Sequence, residues 1–262
     1  MTTLRVAAAQ LNAGPDPIAN LALTTDAVRR AADAGAELVA LPEATMAAFG
    51  TDLRAIAEPL DGPFATGLRK VAADVGIVVV AGLFEPAEDG RVHNTLLATG
   101  PGVEASYRKI HLYDAFGSRE SELVAPGSEV VTFELPRVKD SLTVGLATCF
   151  DLRFAGLFTE LGQAGSDLIV VPASWGAGPG KEEQWDLLTR ARASDAQAWL
   201  LACDQAFATP VGTDPLGIGR SVLADPAGRV RARLGAEAGL LVGAVDTDEV
   251  TAIRARVPVI MR

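Results

Sequence analysis

Residues 167–204 read DLIVVPASWGAGPGKEEQWDLLTRARASDAQAWLLACD. Asp167–Pro172 and Trp199–Asp204 are short, continuous apolar runs, and residues 182–197 between them carry helical spacing. Strands buried on both faces read as unbroken hydrophobic runs rather than as alternating ones. Inside the helical stretch Gln184–Ala198, Leu187, Leu188 and Ala191 fall on one side, with Arg190 and Asp195 elsewhere. That is an amphipathic helix, expected to pack through its leucines. A strand, a helix and a second strand in this order belong to an α/β layered domain.

The same alternation extends in both directions. Further strands are expected at Leu4–Gln10, Glu37–Leu41, Ile77–Phe84, Asn94–Thr99, Val103–Tyr107, Val130–Leu135, Leu142–Thr148, Ser221–Ala224 and Leu240–Asp246. Helices are expected near 17–35, 63–75, 153–165 and 246–256, with Asp16-Pro17 and Asp246 as N-terminal signals for the first and last. No Ser/Gly linker, charge block or internal repeat divides residues 1–262, so the chain reads as one domain.

Of the 262 residues, 49% are hydrophobic and 21% charged, and the formal net charge is −10. Nucleic acid and anionic membranes select basic faces, so this balance argues against both as partners. Two cysteines and two histidines, all scattered, form neither a disulfide framework nor a metal-ligand cluster. The start MTTLRVAAAQL lacks the basic segment and long apolar core of a signal peptide, and no apolar run reaches membrane-spanning length. A reducing, cytoplasmic setting is expected, in which Cys149 stays a thiol.

Three residues follow expected core strands: Glu43 after ELVALP, Lys109 after VEASY in the segment YRKIHLYD, and Cys149 after SLTVGLAT. Active sites of open α/β sheets gather beyond the carboxyl ends of strands. Taken singly, each has an ordinary explanation: a small buried hydrophobe for the cysteine, solvated surface charges for the other two. Cys149, however, opens a polar turn before a helix, a position that lowers a thiol pKa. Cys203, mid-strand in WLLACDQ, reads as inert core. Together the three fit one chemistry. A thiol attacking a carbonyl carbon needs a base for its proton and then an acid for the leaving amine, and one buried carboxylate can serve both. A fixed ammonium beside backbone N–H groups would stabilise the oxyanion, each such donor being worth on the order of 10²–10³ in rate. His93 and His111 are the only candidates for a Cys–His scheme, which the pattern disfavours.

LPEAT around Glu43, YRKIHLYD around Lys109 and ATCFDLRF around Cys149 resemble the three signature segments of the carbon–nitrogen hydrolase, or nitrilase, superfamily. Their order and separations, 66 and then 40 residues, fit as well. AAAQLN, HNT at 93–95, ESELVAPG at 120–127, VPASW at 171–175 and WDLLTRARASDAQAW extend the resemblance along the chain. The closing IRARVPVIMR resembles the tail of the omega-amidase-like branch. This resemblance implies a four-layer αββα sandwich and a Glu43–Lys109–Cys149 triad with no cofactor. It further implies a second glutamate, mapping by segment to Glu120 with Glu122 two positions away, and an oxyanion hole completed by the Phe150 backbone N–H. Pairing through helix faces near 153–165 and 182–197, as a homodimer or a larger homo-oligomer, is also implied.

Where many relatives continue the cysteine motif as Arg-Phe-Pro-Glu, this chain has Arg153-Phe154-Ala155-Gly156, which leaves the triad intact but alters the pocket rim. The resemblance implies a small amide as substrate, favouring one that carries a carboxylate, with N-carbamoyl amines and nitriles as alternatives on the same triad. Arg153 is the candidate anchor for that carboxylate, because a guanidinium grips one bidentately; pairing with Asp151 or a backbone carbonyl is the structural alternative. Trp175 and Tyr113 are candidate pocket walls, with packing as the competing role.

Overall fold

The computed structural model describes residues 3–137, 141–208 and 217–260; the last two residues of the IRARVPVIMR tail lie outside them. In chain order the strands are β1 (Thr3–Gln10), β2 (Leu38–Ala40), β3 (Val78–Pro86), β4 (Val92–Gly100), β5 (Val103–Arg108), β6 (Thr132–Pro136), β7 (Ser141–Leu146), β8 (Leu168–Ala173), β9 (Trp199–Asp204), β10 (Val222–Ala224), β11 (Val230–Arg233) and β12 (Gly239–Asp246). The helices are α1 (Pro17–Asp33), α2 (Leu53–Ile56), α3 (Pro63–Val75), α4 (Ala155–Gln163), α5 (Lys181–Ala196) and α6 (Thr247–Arg256).

The strands form two six-stranded sheets, ordered β12-β1-β2-β3-β4-β5 and β11-β10-β9-β8-β7-β6. In each, three central strands run parallel (β1, β2, β3 and β7, β8, β9) and the outer ones antiparallel. Side chains alternate across a strand, and here both faces are covered. Leu38 and Ala40 of β2, Val78 and Val80 of β3, and Leu168 and Val170 of β8 meet in the core between the sheets. Val39, Val79 and Ala81 face α1 and α3, while Ile169 and Val171 face α4 and α5. This is the αββα sandwich, and it explains the unbroken apolar runs.

The helix expected near 153–165 is α4, preceded by a 3₁₀ turn over Cys149–Arg153 and joined to it through Phe154 with extended backbone. One expectation needs correction. α5 packs only partly through its leucines, with Leu188 half-buried against the core. Its buried residues are Trp185, Thr189, Arg192, Ala193 and Ala196, while Leu187 is 66% exposed. Arg192 can be interior because its Nε donates to the Leu152 carbonyl and its Nη1 to Asp195. β11, an edge strand reading VRAR, was not anticipated, since its arginines leave no apolar run to mark it.

Candidate active site

Glu43 sits in the turn after β2. That turn is pinned to β3 by Leu41 N–H to the Val80 carbonyl and Met46 N–H to the Gly82 carbonyl, each within 3.0 Å. Ala44 is left-handed, at φ +55°. The turn lies so close to β3 that a Cβ on Gly82 would come within 2.7 Å of the Ala44 nitrogen and 3.0 Å of the Glu43 Cα. Only glycine permits this approach. Gln205 closes the other side, its Nε2 donating to the Glu43 carbonyl at 2.9 Å.

The Glu43 side chain is buried and every contact it accepts is a donor. Oε1 receives the Lys109 ammonium at 2.9 Å and the Asn94 amide at 2.8 Å; Oε2 receives the Ser174 backbone N–H at 3.0 Å. Lys109, 2% exposed, also reaches Glu120 at 3.1 Å and 2.9 Å to its two oxygens. Burial opposes the ammonium, but the Glu120 and Glu43 carboxylates outweigh it and hold the Lys109 pKa well above its ordinary value. Glu120 is held in turn by the Tyr113 N–H at 2.6 Å and the Asn94 amide at 3.2 Å. Glu122 instead faces solvent and pairs with Arg119. The geometry therefore separates the two glutamates that the motif left open.

Cys149 opens the 3₁₀ turn with a left-handed backbone, φ +45°, unusual for a residue with a side chain. The turn is locked by Asp151, which receives the Thr148 N–H at 2.8 Å, the Tyr107 hydroxyl at 2.6 Å, and the His111 N–H and Nδ1 at 3.1 and 2.7 Å. Tyr107 and His111 flank Lys109 in sequence, so one buried carboxylate ties the Cys149 turn to the Lys109 segment. His111 is thus committed to Asp151 and stacks on Phe154; His93 faces the Ala125 carbonyl. Neither histidine lines the cavity that holds the thiol.

The expected lowering of the Cys149 pKa is reversed. Burial pushes the thiol well up, and the neighbouring Glu43 carboxylate adds to that; Lys109 and the Ser174 N–H pull the other way without prevailing. The turn is too short and the site too enclosed for its end to dominate. A pKa shifted in this direction favours the protonated thiol, and a thiol in that form needs a base close by before it can attack.

A cavity of about 270 Å³ opens on the thiol. Glu43, Lys109, Glu120 and Cys149 line its floor; Phe150, Trp175, Tyr113 and Arg153 line its walls. Phe150 follows Cys149 as the second residue of the turn, where a backbone N–H has no intrahelical acceptor. Trp175 is fixed by its N–H to Asp204 at 2.7 Å. Among the described residues Arg153 pairs with neither Asp151 nor a backbone carbonyl: its Nη2 donates to Gln184 at 2.6 Å, and its guanidinium lies 5.0 Å from the Trp175 ring centre. Asn94, Asp151 and the Ser174 N–H had not been singled out. Asn94 stood in the quoted HNT segment and Asp151 in CFDLRF, but no pattern marked them as the ties between carboxylates and turns. Among the described residues no group of three or more His, Cys, Asp or Glu side chains could hold a metal, and no helix is long and apolar enough to cross a membrane.

The two sheets with their helices, and a buried Glu–Lys–Cys cluster at the strand ends, define a hydrolase of carbon–nitrogen bonds. The chain belongs to the carbon-nitrogen hydrolase family, whose profile matches residues 5–255. It is 50% identical over 268 residues to a hydrolase of Mycobacterium tuberculosis, covering 98% of this chain and 94% of that one. It is 32% identical over 271 residues to the omega-amidase NIT2 of Mus musculus, covering 99% and 95%. The crystal structure of Saccharomyces cerevisiae Nit3, a member of the nitrilase superfamily, superposes with a TM-score of 0.85 at 25% identity, covering 99% and 96%.

Proposed function

We propose that this amidase hydrolyses a small amide bearing a carboxylate, through a thioester on Cys149 with release of ammonia. The observation that carries this is the juxtaposition in one cavity of the Cys149 thiol with a carboxylate, Glu43, whose partners are all hydrogen-bond donors and whose nearest cation is Lys109 at 2.9 Å. Glu43 takes the thiol proton as sulfur bonds to the amide carbon, and the carbonyl electrons move to oxygen. Lys109 and the Phe150 N–H stabilise that oxyanion. Its collapse breaks the C–N bond; Glu43 returns the proton to nitrogen and ammonia leaves. Water, deprotonated by Glu43, then attacks the thioester, and a carboxylic acid departs with the thiol restored. Glu120 orients Lys109, and Arg153, Trp175 and Tyr113 contact the substrate.

The likeness to an omega-amidase supports a carboxylate-bearing amide. The same reading takes the chain as one domain, working in the cytoplasm as a homodimer or larger assembly; light scattering that gives the mass of one chain would overturn the assembly. Ammonia release from a panel of amides, nitriles and N-carbamoyl amines, with Cys149→Ala alongside, tests the reaction. Release from carboxylate-bearing amides that vanishes in the variant is expected. Release only from nitriles or N-carbamoyl amines would overturn the substrate class, and activity surviving the substitution would overturn the mechanism.

A further inference from the structure

Besides Lys109, three cationic side chains line the cavity: Arg119, Arg153 and Lys181. Lys109 lies between two carboxylates and Arg119 pairs with Glu122. Arg153 and Lys181 differ. Among the described residues neither has a carboxylate within ion-pair distance; both are held by aromatic rings and neutral groups. The Lys181 ammonium sits 3.8 Å from the Phe116 ring centre and donates to the Tyr113 hydroxyl at 3.3 Å. The Arg153 guanidinium is 5.9 Å from the same Phe116 ring, and its buried Nε has no acceptor among the described residues. Two cations therefore share one aromatic wall with no anion between them. Burial and then repulsion from Arg153 lower the Lys181 pKa, the sign expected when like charges crowd an enclosed space.

The rest of the cavity does not offer this environment. Its floor carries two carboxylates against one ammonium, so an anionic group of the substrate is repelled there and drawn to the wall. We propose that Lys181 and Arg153 together form a two-cation clamp for the carboxylate of the substrate, which makes Lys181 a specificity-determining residue. The guanidinium offers a planar pair of donors and the ammonium a point charge, so the carboxylate is held from two elements, the end of the 3₁₀ turn and the start of α5. This deepens the proposed function and rests on its assignment of a carboxylate-bearing amide.

The test compares two substrates of the same length, the monoamide of a four-carbon dicarboxylic acid and butyramide, its neutral counterpart. Lys181→Met keeps the apolar stem over Phe116 and removes the charge; Lys181→Arg retains it. The clamp predicts that Lys181→Met raises KM for the acid amide about tenfold or more, the size of one lost charge-assisted hydrogen bond. kcat should change less than about threefold, KM for butyramide should rise by no more than about threefold, and Lys181→Arg should recover most of the loss on the acid amide. Equal effects of Lys181→Met on both substrates, or none on either, would overturn the clamp. A wild-type enzyme that does not prefer the acid amide would overturn the carboxylate reading itself. A wild-type preference that survives Lys181→Met removes Lys181 from the site and leaves that reading standing.

Discussion

Replacing Glu120 by glutamine changes one atom and should disable the site. Each oxygen of Glu120 faces only donors: Oε1 receives Lys109 and Asn94, and Oε2 receives Lys109 and the Tyr113 N–H. Whichever way a glutamine amide turns, its NH₂ confronts the Lys109 ammonium and one further donor. A hydrogen bond to a charged group is worth about 1.5–3 kcal/mol and a neutral one about 1 kcal/mol. Both partners are almost fully buried, so solvent does little to replace what is lost. The cost is about 3–4 kcal/mol, and Lys109 shifts toward Glu43, away from the place of the oxyanion. At about 1.4 kcal/mol per tenfold, kcat/KM should fall by on the order of 10²–10³. Steady-state ammonia release measures it, with urea unfolding to confirm that the variant is folded at assay temperature. Glu122→Gln is the control: its ion pair is exposed and worth at most about 1 kcal/mol, and activity should stay within about twofold. Glu120→Gln within threefold of wild type, or a large loss in Glu122→Gln, would refute the reasoning.

Three other predictions follow from the geometry. Gly82→Ala should push the Glu43 turn off β3 and lower kcat at least tenfold on the order-of-magnitude logic that small misplacements of catalytic groups are costly; unchanged kcat would mean the turn relaxes freely. Iodoacetamide should alkylate Cys149 in the native protein, more slowly in Glu43→Gln, and reach Cys203 only after unfolding; peptide mapping reads this, and native labelling at Cys203 would contradict its place between the sheets. Burial raises the Cys203 pKa, so the folded thiol stays protonated above about pH 8.5, where the unfolded one ionises. The unfolded chain then binds fewer protons, and stability falls with rising pH by up to about 1.4 kcal/mol per pH unit for this group. Cys203→Ala should remove that share of the decline between pH 8 and 10 in urea titrations, and an undiminished slope would refute it.

The layers were legible because β2, β3, β8 and β9 are covered on both faces, and burial of that kind writes itself as runs such as IVVV and LIVV. The three positions that meet in the cavity were legible for a related reason: each stands where such a run ends and polar residues begin. Features that depend on contacts across the molecule were not. α5 presents a leucine to solvent and an arginine to the interior, because Leu152 offers Arg192 a carbonyl that periodicity cannot register. β11 is an exposed edge whose pairing with β10 alone defines it. Asp151 resembles any polar residue in a turn until Tyr107 and His111 are brought to it from 44 and 40 positions away. The direction of the Cys149 pKa was misread for the same reason. A helix start is visible in sequence, whereas the enclosure and the Glu43 carboxylate beside the thiol come from other segments.

The central claim is a thioester on Cys149, and rapid quenching of turnovers followed by mass spectrometry tests it most directly. With a carboxylate-bearing monoamide in excess, the peptide containing Cys149 should carry the mass of the substrate acyl group. That mass should disappear on treatment with hydroxylamine and be absent from Cys149→Ala. Sustained ammonia release with an unmodified Cys149 peptide at every quench time, and the acyl mass found on another residue, would contradict the account.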